Sequence, residues 1–284
     1  MARDQACASA RREAVLKRDL FGAVELWTTS AGERFVLRRP IAAAEARAEG
    51  IPGPLRPFGR AVGALLARRE RRTLERLAAC VARDPALAAR LAGRLPQAVP
   101  GAWLAAARDA VLAESTPLCR KGRAACLPAG EWVGRSFLPG EPLDRTPLLS
   151  RRYFEHLEAL LATLHGLGLR HNDLHKEQNL LVLPDGSPGL IDFQLSSWHF
   201  GSGRMARVRA AEDLRHVRKI ARRYLQRDPE RTARLPEVGR RSLLAALWMR
   251  CGKPVYKALT RGLLGWRDGE RGRPPEGAFP RWVD

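Results

Sequence analysis

The chain has 284 residues, with 50 Lys or Arg against 30 Asp or Glu, a formal net charge of +20. A hydrophobic content of 45% beside 28% charged residues excludes wholesale disorder, collagen-like repeats and coiled coils. No run of eighteen apolar residues occurs, and the opening Met1-Ala2-Arg3-Asp4-Gln5 lacks the apolar core of a secretory signal, so a cytoplasmic protein is expected. Only six of the basic residues are lysines. Arginine-rich, alanine-rich composition fits a GC-rich genome, but such drift does not explain the excess of bases over acids. Residues 201–284 hold 21 basic and 9 acidic side chains. That concentration predicts attraction to polyanions such as nucleic acid, an anionic membrane face or phosphorylated substrates. The five cysteines form no CxxC pair and read as free thiols.

In chain order, Ala14–Leu16 and Ala23–Trp27 read as strands flanking a turn at Gly22, and Arg34–Arg38 as a third strand. Residues 40–60 are rich in Ala, Gly and Pro, with no clear period. From Ala61 the spacing of Val62, Leu65, Leu66, Leu74 and Leu77 predicts a helix with arginines between. Ala/Leu-rich helix continues over 78–115, broken at Pro85, Pro96 and Pro100, and a strand is expected over 132–138. Tyr153–Leu167 carries Phe154, Leu157, Leu160, Leu161 and Leu164 on one helical face. A hairpin follows, with Leu180–Leu183 and Gly189–Ile191 around Pro184-Asp185-Gly186. Helix is expected after Arg204, and a loose basic Gly/Pro-rich tail over 267–284.

The chemistry concentrates in His171-Asn172-Asp173-Leu174-His175-Lys176-Glu177-Gln178-Asn179, followed thirteen residues after Asn179 by Asp192 in Ile191-Asp192-Phe193. A helix delivers the chain to a polar loop, and the hairpin returns it to a second carboxylate. Phosphoryl transfer from ATP needs such a set: one carboxylate to orient an acceptor hydroxyl, and a second with an amide oxygen to hold Mg²⁺.

This pattern resembles the catalytic and metal-binding loops of the protein-kinase-like superfamily, especially bacterial lipopolysaccharide-kinase-type and RIO-like serine/threonine kinases. The resemblance implies an α+β, two-lobed kinase-like domain over about 11–266. Its small β-rich N-lobe would cover about 11–139 and its short helical C-lobe about 140–266. It further implies Asp173 as catalytic base, Lys176 near the γ-phosphate, His171 as a structural histidine, and Asn179 and Asp192 as metal ligands. The usual spacing would place the amide at Gln178, so Gln178 and Asn179 both stand as candidates. Gln194 replaces the glycine that normally follows Asp-Phe. In the first half, Arg38 (or Arg39) occupies the place of the phosphate-clamping lysine, and Glu70 that of the helix glutamate paired with it. Gly22 is the only glycine of the nucleotide-covering loop, and Ser136–Leu143 resembles the hinge. Asp213 reads either as a brace for the catalytic loop or as a helix-start carboxylate.

The implied function is Mg²⁺/ATP-dependent transfer to a hydroxyl acceptor, on a lipopolysaccharide or related glycolipid sugar or on a protein serine or threonine. No Ala-Pro-Glu motif follows Asp192, which departs from conventional protein kinases. The apolar and basic residues of 238–266 suit either C-lobe packing or peripheral contact with an anionic membrane at the inner face. Anionic lipid ranks ahead of nucleic acid as the partner of the basic surface. The alternative is a catalytically impaired pseudokinase, a basic membrane- or nucleic-acid-binding scaffold, suggested by Arg38, Gln194 and the shifted asparagine.

Overall fold

The computed structural model describes residues 9–119, 131–201, 203–225, 250–251, 254 and 281–283. The expected basic segment 238–266 therefore lies almost wholly outside the described residues. The architecture is mixed α+β, with sheet toward the N-terminus and helix toward the C-terminus. The chain divides into two compact units, Met1–Ala88 with Pro96–Phe137 and Ala89–Leu95 with Leu138–Asp284.

The first unit is built on a four-stranded antiparallel sheet in the order β1-β2-β3-β4, comprising β1 (Ala10–Asp19), β2 (Gly22–Thr29), β3 (Arg34–Arg39) and β4 (Val133–Ser136). Alternation along β3 sends Phe35 and Leu37 to one face, where they pack with Trp27, Trp132 and the α4 (Gly101–Cys119) residues Ala107 and Val111. Gly134 lies on that face because a Cβ there would come within 2.5 Å of Val99 and 2.7 Å of Leu104. The other edge strand, β1, pairs with β2 through two irregularities, between Arg12 and Ala14 and between Val15 and Lys17.

The opposite face meets α2 (Arg56–Arg83), the long helix foreseen from the leucine spacing. Its approach is set by small residues: a Cβ at Gly59 would fall 2.4 Å from the Leu20 carbonyl oxygen, and one at Gly63 only 2.1 Å from that of Phe21. The β1–β2 turn therefore presses its backbone directly against the helix. Gly22, at φ +146°, is demanded by a different neighbour, since a Cβ there would lie 2.5 Å from the Arg39 carbonyl oxygen on β3.

The aperiodic region 40–60 contains a short helix that was not foreseen, α1 (Ala43–Ala48). Its cause is electrostatic. Glu45 caps the Ala42 N–H at 2.9 Å and holds Arg39 through bonds of 2.8 and 2.6 Å. Arg39, 2% exposed, also forks onto fully buried Glu25 at 3.1 and 2.7 Å. Two carboxylates thus enclose one guanidinium, and each needs the other charge to remain buried. Asp84 caps the next helix, α3 (Pro85–Leu91), through the N–H groups of Ala86 and Leu87.

In the second unit, β5 (Glu141–Pro142), β8 (Leu180–Val182) and β9 (Pro188–Leu190) form a three-stranded sheet with β8 central. Leu138, Leu181 and Leu183 pack together against Ile191. Helix α5 (Tyr153–Gly166) turns its buried leucines inward and packs against α6 (Arg204–Leu225). Tyr153 donates to the Leu181 carbonyl at 3.1 Å, tying α5 to the hairpin. Strand β7 (Leu169–Arg170) pairs with β10 (Ser197–Trp198). Part of the expected loose tail is ordered: β11 (Arg281–Val283) pairs in parallel with β6 (Leu148–Ser150), and the Arg151 N–H bonds the Val283 carbonyl at 3.1 Å. Among the described residues, no helix is long and apolar enough to cross a membrane, and Cys80 and Cys251 are free thiols.

Candidate active site

The polar loop begins where β7 ends, and α6 holds it from behind. Asp213, 1% exposed, accepts the backbone N–H of His171 at 2.9 Å and that of Asn172 at 2.8 Å, and lies 3.1 Å from His165 Nε2 on α5. It is the tenth residue of a 22-residue helix, so the helix-start reading fails and the bracing role stands. Asn172 takes a left-handed backbone, φ 64°, and donates its amide to the Leu195 carbonyl and to Ser197 Oγ, both at 2.9 Å. The loop is thus anchored at its entry on two elements distant in sequence.

Asp173 follows with its side chain fully buried. Lys176 Nζ donates to its Oδ2 at 2.9 Å, and Asn179 Nδ2 donates to its backbone oxygen at 3.0 Å and to Oδ2 at 3.2 Å. His175 Nδ1 lies 3.1 Å from Oδ1. Burial alone would raise the Asp173 pKa. The contact with His175 and the charge and hydrogen bond of Lys176 outweigh it, holding the carboxyl below its ordinary value. Asp173 is therefore an ionised, immobilised carboxylate. Leu174, fully buried, anchors the loop between these polar neighbours.

The two amide candidates separate clearly. Residues 177–179 form one tight 3-10 turn, in which the Asn179 N–H bonds the Lys176 carbonyl at 3.1 Å. That turn leaves Gln178 exposed and brings Asn179, 4% exposed, against Asp173. Glu177 faces the other way, toward Arg223 and the Tyr224 hydroxyl on α6, the latter at 2.7 Å. Nothing in the residue types of the loop foretold that Glu177 would serve as an outward anchor.

The hairpin returns the chain to Asp192. Ile191 bonds through its N–H to the Asn179 carbonyl at 3.1 Å, and its own carbonyl lies 3.0 Å from His171 Nε2. The His171 ring is also 4.9 Å from that of Phe193. Asp192 has a left-handed backbone, φ 68°. Its Oδ2 accepts from Gln194 Nε2 at 3.1 Å, while Oδ1 is buried without a hydrogen-bond partner. Asp192 Oδ1 and Gln194 Oε1, both buried without a hydrogen-bond partner, are oxygens of the kind a divalent cation takes, so the residues present fit Mg²⁺.

In the first unit, Arg38 lies on the sheet face toward α2, and its Nε is buried without a hydrogen-bond partner. Arg39 points to the other face and is consumed by Glu25 and Glu45. Glu70, 3% exposed, accepts from Arg135 Nη1 at 3.1 Å. The expected pairing of Glu70 with a β3 arginine is thereby corrected. Val36 lies opposite Arg135 in the β3–β4 register, so β4 supplies a base on the helix-facing side. Among the described residues, Arg38 forms no ion pair. Arg135 was not singled out from the sequence, because only the strand register reveals which base reaches the helix.

No protein-family model matches the chain. Over 120 residues, 42% of its length, it is 31% identical to CBL-interacting serine/threonine-protein kinase 16 of Arabidopsis thaliana. The chain spans about a quarter of that relative's length, 24%. Among solved structures it is similar to the Rio2 kinase from Chaetomium thermophilum, with 14% identity, a TM-score of 0.46, and coverage of 76% of this chain and 57% of that one. Against the Rio2 kinase-ADP/Mg²⁺-phosphoaspartate complex from the same organism, the values are 16%, 0.42, 90% and 70%.

Proposed function

We propose that the chain is an atypical kinase of RIO-like fold that transfers the γ-phosphoryl group of ATP to a hydroxyl acceptor. The observation that carries this reading is the joined loop pair. Asp173 and Asn179 occupy one loop, Asp192 ends the neighbouring strand, and His171 and Ile191 tie the two together. Asp173 orients the acceptor hydroxyl and takes its proton as the oxygen bonds to phosphorus. The bond from phosphorus to the β-phosphate oxygen breaks, and ADP leaves with that electron pair. Asp192 and Asn179 would hold Mg²⁺, which would supply positive charge against the phosphates. Lys176 meets the negative charge beside Asp173, and Arg38 is the base proposed for the nucleotide phosphates, with Glu70 acting through Arg135. Gly22 contributes by permitting the tight turn.

The acceptors that suit a basic protein are an anionic glycolipid sugar, as in lipopolysaccharide, and a protein serine or threonine. Residence in the cytoplasm, with contact at the inner membrane face, would bring the first within reach. The pairing of Glu70 with Arg135 favours a second reading, a pseudokinase scaffold lacking the usual strand-base clamp. Nucleotide binding with and without Mg²⁺, and turnover of γ-labelled ATP, decide between them. Wild type should bind nucleotide in a Mg²⁺-dependent way, and Asp173→Asn should lower turnover by roughly 10²- to 10⁴-fold while binding persists. Label appearing in the glycolipid or in protein identifies the acceptor. Absence of both Mg²⁺-dependent binding and turnover overturns the kinase reading.

A further inference from the structure

Helix α2 presents two unlike faces. Inward, Gly59, Gly63 and Ala67 repeat every four residues against the sheet, and Glu70, Leu74 and Leu77 continue the buried side. The close backbone contacts at Gly59 and Gly63 fix the rotation of the helix about its axis, and so fix what faces outward. At 100° per residue, Phe58, Leu65, Arg69, Arg72, Arg76 and Arg83 fall within a sector of about 60°. All six are exposed, and Phe58 and Leu65 are each 62% exposed. Arg68 borders the sector and is exposed as well. The helix carries eight arginines and two glutamates. One glutamate, Glu70, is buried, and the other, Glu75, lies 3.8 Å from Arg71, off the stripe. The outer stripe is therefore apolar toward the start of α2 and almost purely cationic beyond Leu65, along a helix of about 42 Å.

We propose that this outer face of α2 is a docking surface for an anionic phospholipid bilayer. Two large apolar side chains held in water on the same line as a row of guanidinium groups match the two layers of a membrane surface. Arginines engage lipid phosphates, and Phe58 and Leu65 enter the boundary with the acyl chains. A nucleic acid would satisfy the arginines through its phosphates, yet leave Leu65 without a use. The site stands apart from the phosphotransfer reading, since it involves none of the residues assigned to ATP, Mg²⁺ or the acceptor.

The test is co-sedimentation of the full chain with vesicles of phosphatidylcholine alone and of phosphatidylcholine enriched in phosphatidylglycerol. Wild type should bind the anionic vesicles, and added salt should weaken that binding. Phe58→Ser/Leu65→Ser should reduce partitioning by roughly tenfold or more at unchanged charge. Arg68→Glu/Arg72→Glu should reduce it at unchanged apolar surface. Both double variants alter exposed side chains, and unchanged thermal melting confirms that they fold. Equal binding to neutral vesicles, or wild-type binding by either double variant, overturns the proposal. So does binding to RNA that falls with the arginine variant, ignores the Phe58/Leu65 variant and occurs without vesicle binding.

Discussion

His171 Nε2 lies 3.0 Å from the carbonyl oxygen of Ile191. A carbonyl can only accept, so Nε2 carries the proton and the ring tautomer follows. This bond spans twenty residues and couples the loop of Asp173 to the strand end of Asp192, so the histidine sets the distance between two carboxylates it does not itself replace.

Replacing it should therefore harm chemistry more than stability. His171→Phe keeps a ring against Phe193 and loses the bond. The expected result is turnover reduced by roughly 10²-fold, because small misplacements of reacting groups are costly, with thermal melting little changed. Single-turnover kinetics beside a melting curve would check it. A collapse of the fold, or undiminished turnover, would show that the bond does not position the site.

Asp173 is held below its ordinary pKa by His175 and Lys176 against the opposing effect of burial. A base must be ionised to work, so activity should persist as pH falls through the normal carboxylate range and decline only below it. His175→Ala removes one of the two holding contacts and leaves burial less opposed. Its acid limb should move to higher pH, measurable as a shift in the pH profile of kcat/KM. An unmoved limb would mean that Lys176 alone suffices.

Glu45 is a stability group rather than a catalytic one. Burial would raise its pKa, but its hydrogen bonds to Arg39 and the Ala42 N–H pull it down to about 2. A lowered pKa means that the stabilisation is complete above the unfolded value near 4.5 and is lost as pH falls toward 2. Glu45→Gln should cost about 2 kcal/mol at neutral pH, discounted for partial solvent screening, and should flatten the acid dependence of unfolding between those values. Denaturant melts at neutral and acid pH would measure both effects.

Gly63 and Gly53 offer a matched contrast. A Cβ at Gly63 meets the Phe21 backbone at 2.1 Å, whereas one at Gly53 meets nothing within 4 Å. Gly63→Ala must push α2 off the β1–β2 turn and should cost about 2 kcal/mol or more, with Gly53→Ala near neutral. Urea unfolding of the two variants would distinguish a close approach that fixes the helix from a position with open space around it.

The elements with strong local patterning were legible before the structure: β1 to β3, the leucine face of α5, and the β8–β9 hairpin all read from periodicity and turn residues. So was the cluster of His171, Asp173, Asn179 and Asp192, because its members are close in sequence and of unusual type. The parts that escaped depend on tertiary geometry. Helix α1 has no hydrophobic period and exists because Glu45 meets Arg39. Gln178 and Asn179 were equivalent by type, and only the 3-10 turn turned one inward. The resemblance implies Glu70 as the helix glutamate paired with a β3 base. Which base it meets depends on strand register, and that register puts Arg135 where Arg38 was expected.

The two irregularities in β1 have a consequence for life at high concentration. β4 has a neighbour along its outer side, where Ala98 bridges Arg135 and Gln97 and Gly134 exchange bonds with Ser136 and Val99. Among the described residues β1 is the other margin of the sheet, its register with β2 shifts twice, and it carries Arg11, Arg12, Lys17 and Arg18 beside Glu13 and Asp19. A straight, uncharged margin would invite another chain to add its own strand and seed fibrils. An irregular one carrying charged side chains offers a broken ladder at the point where such growth would begin. Twice out of register, β1 is a poor template for such growth.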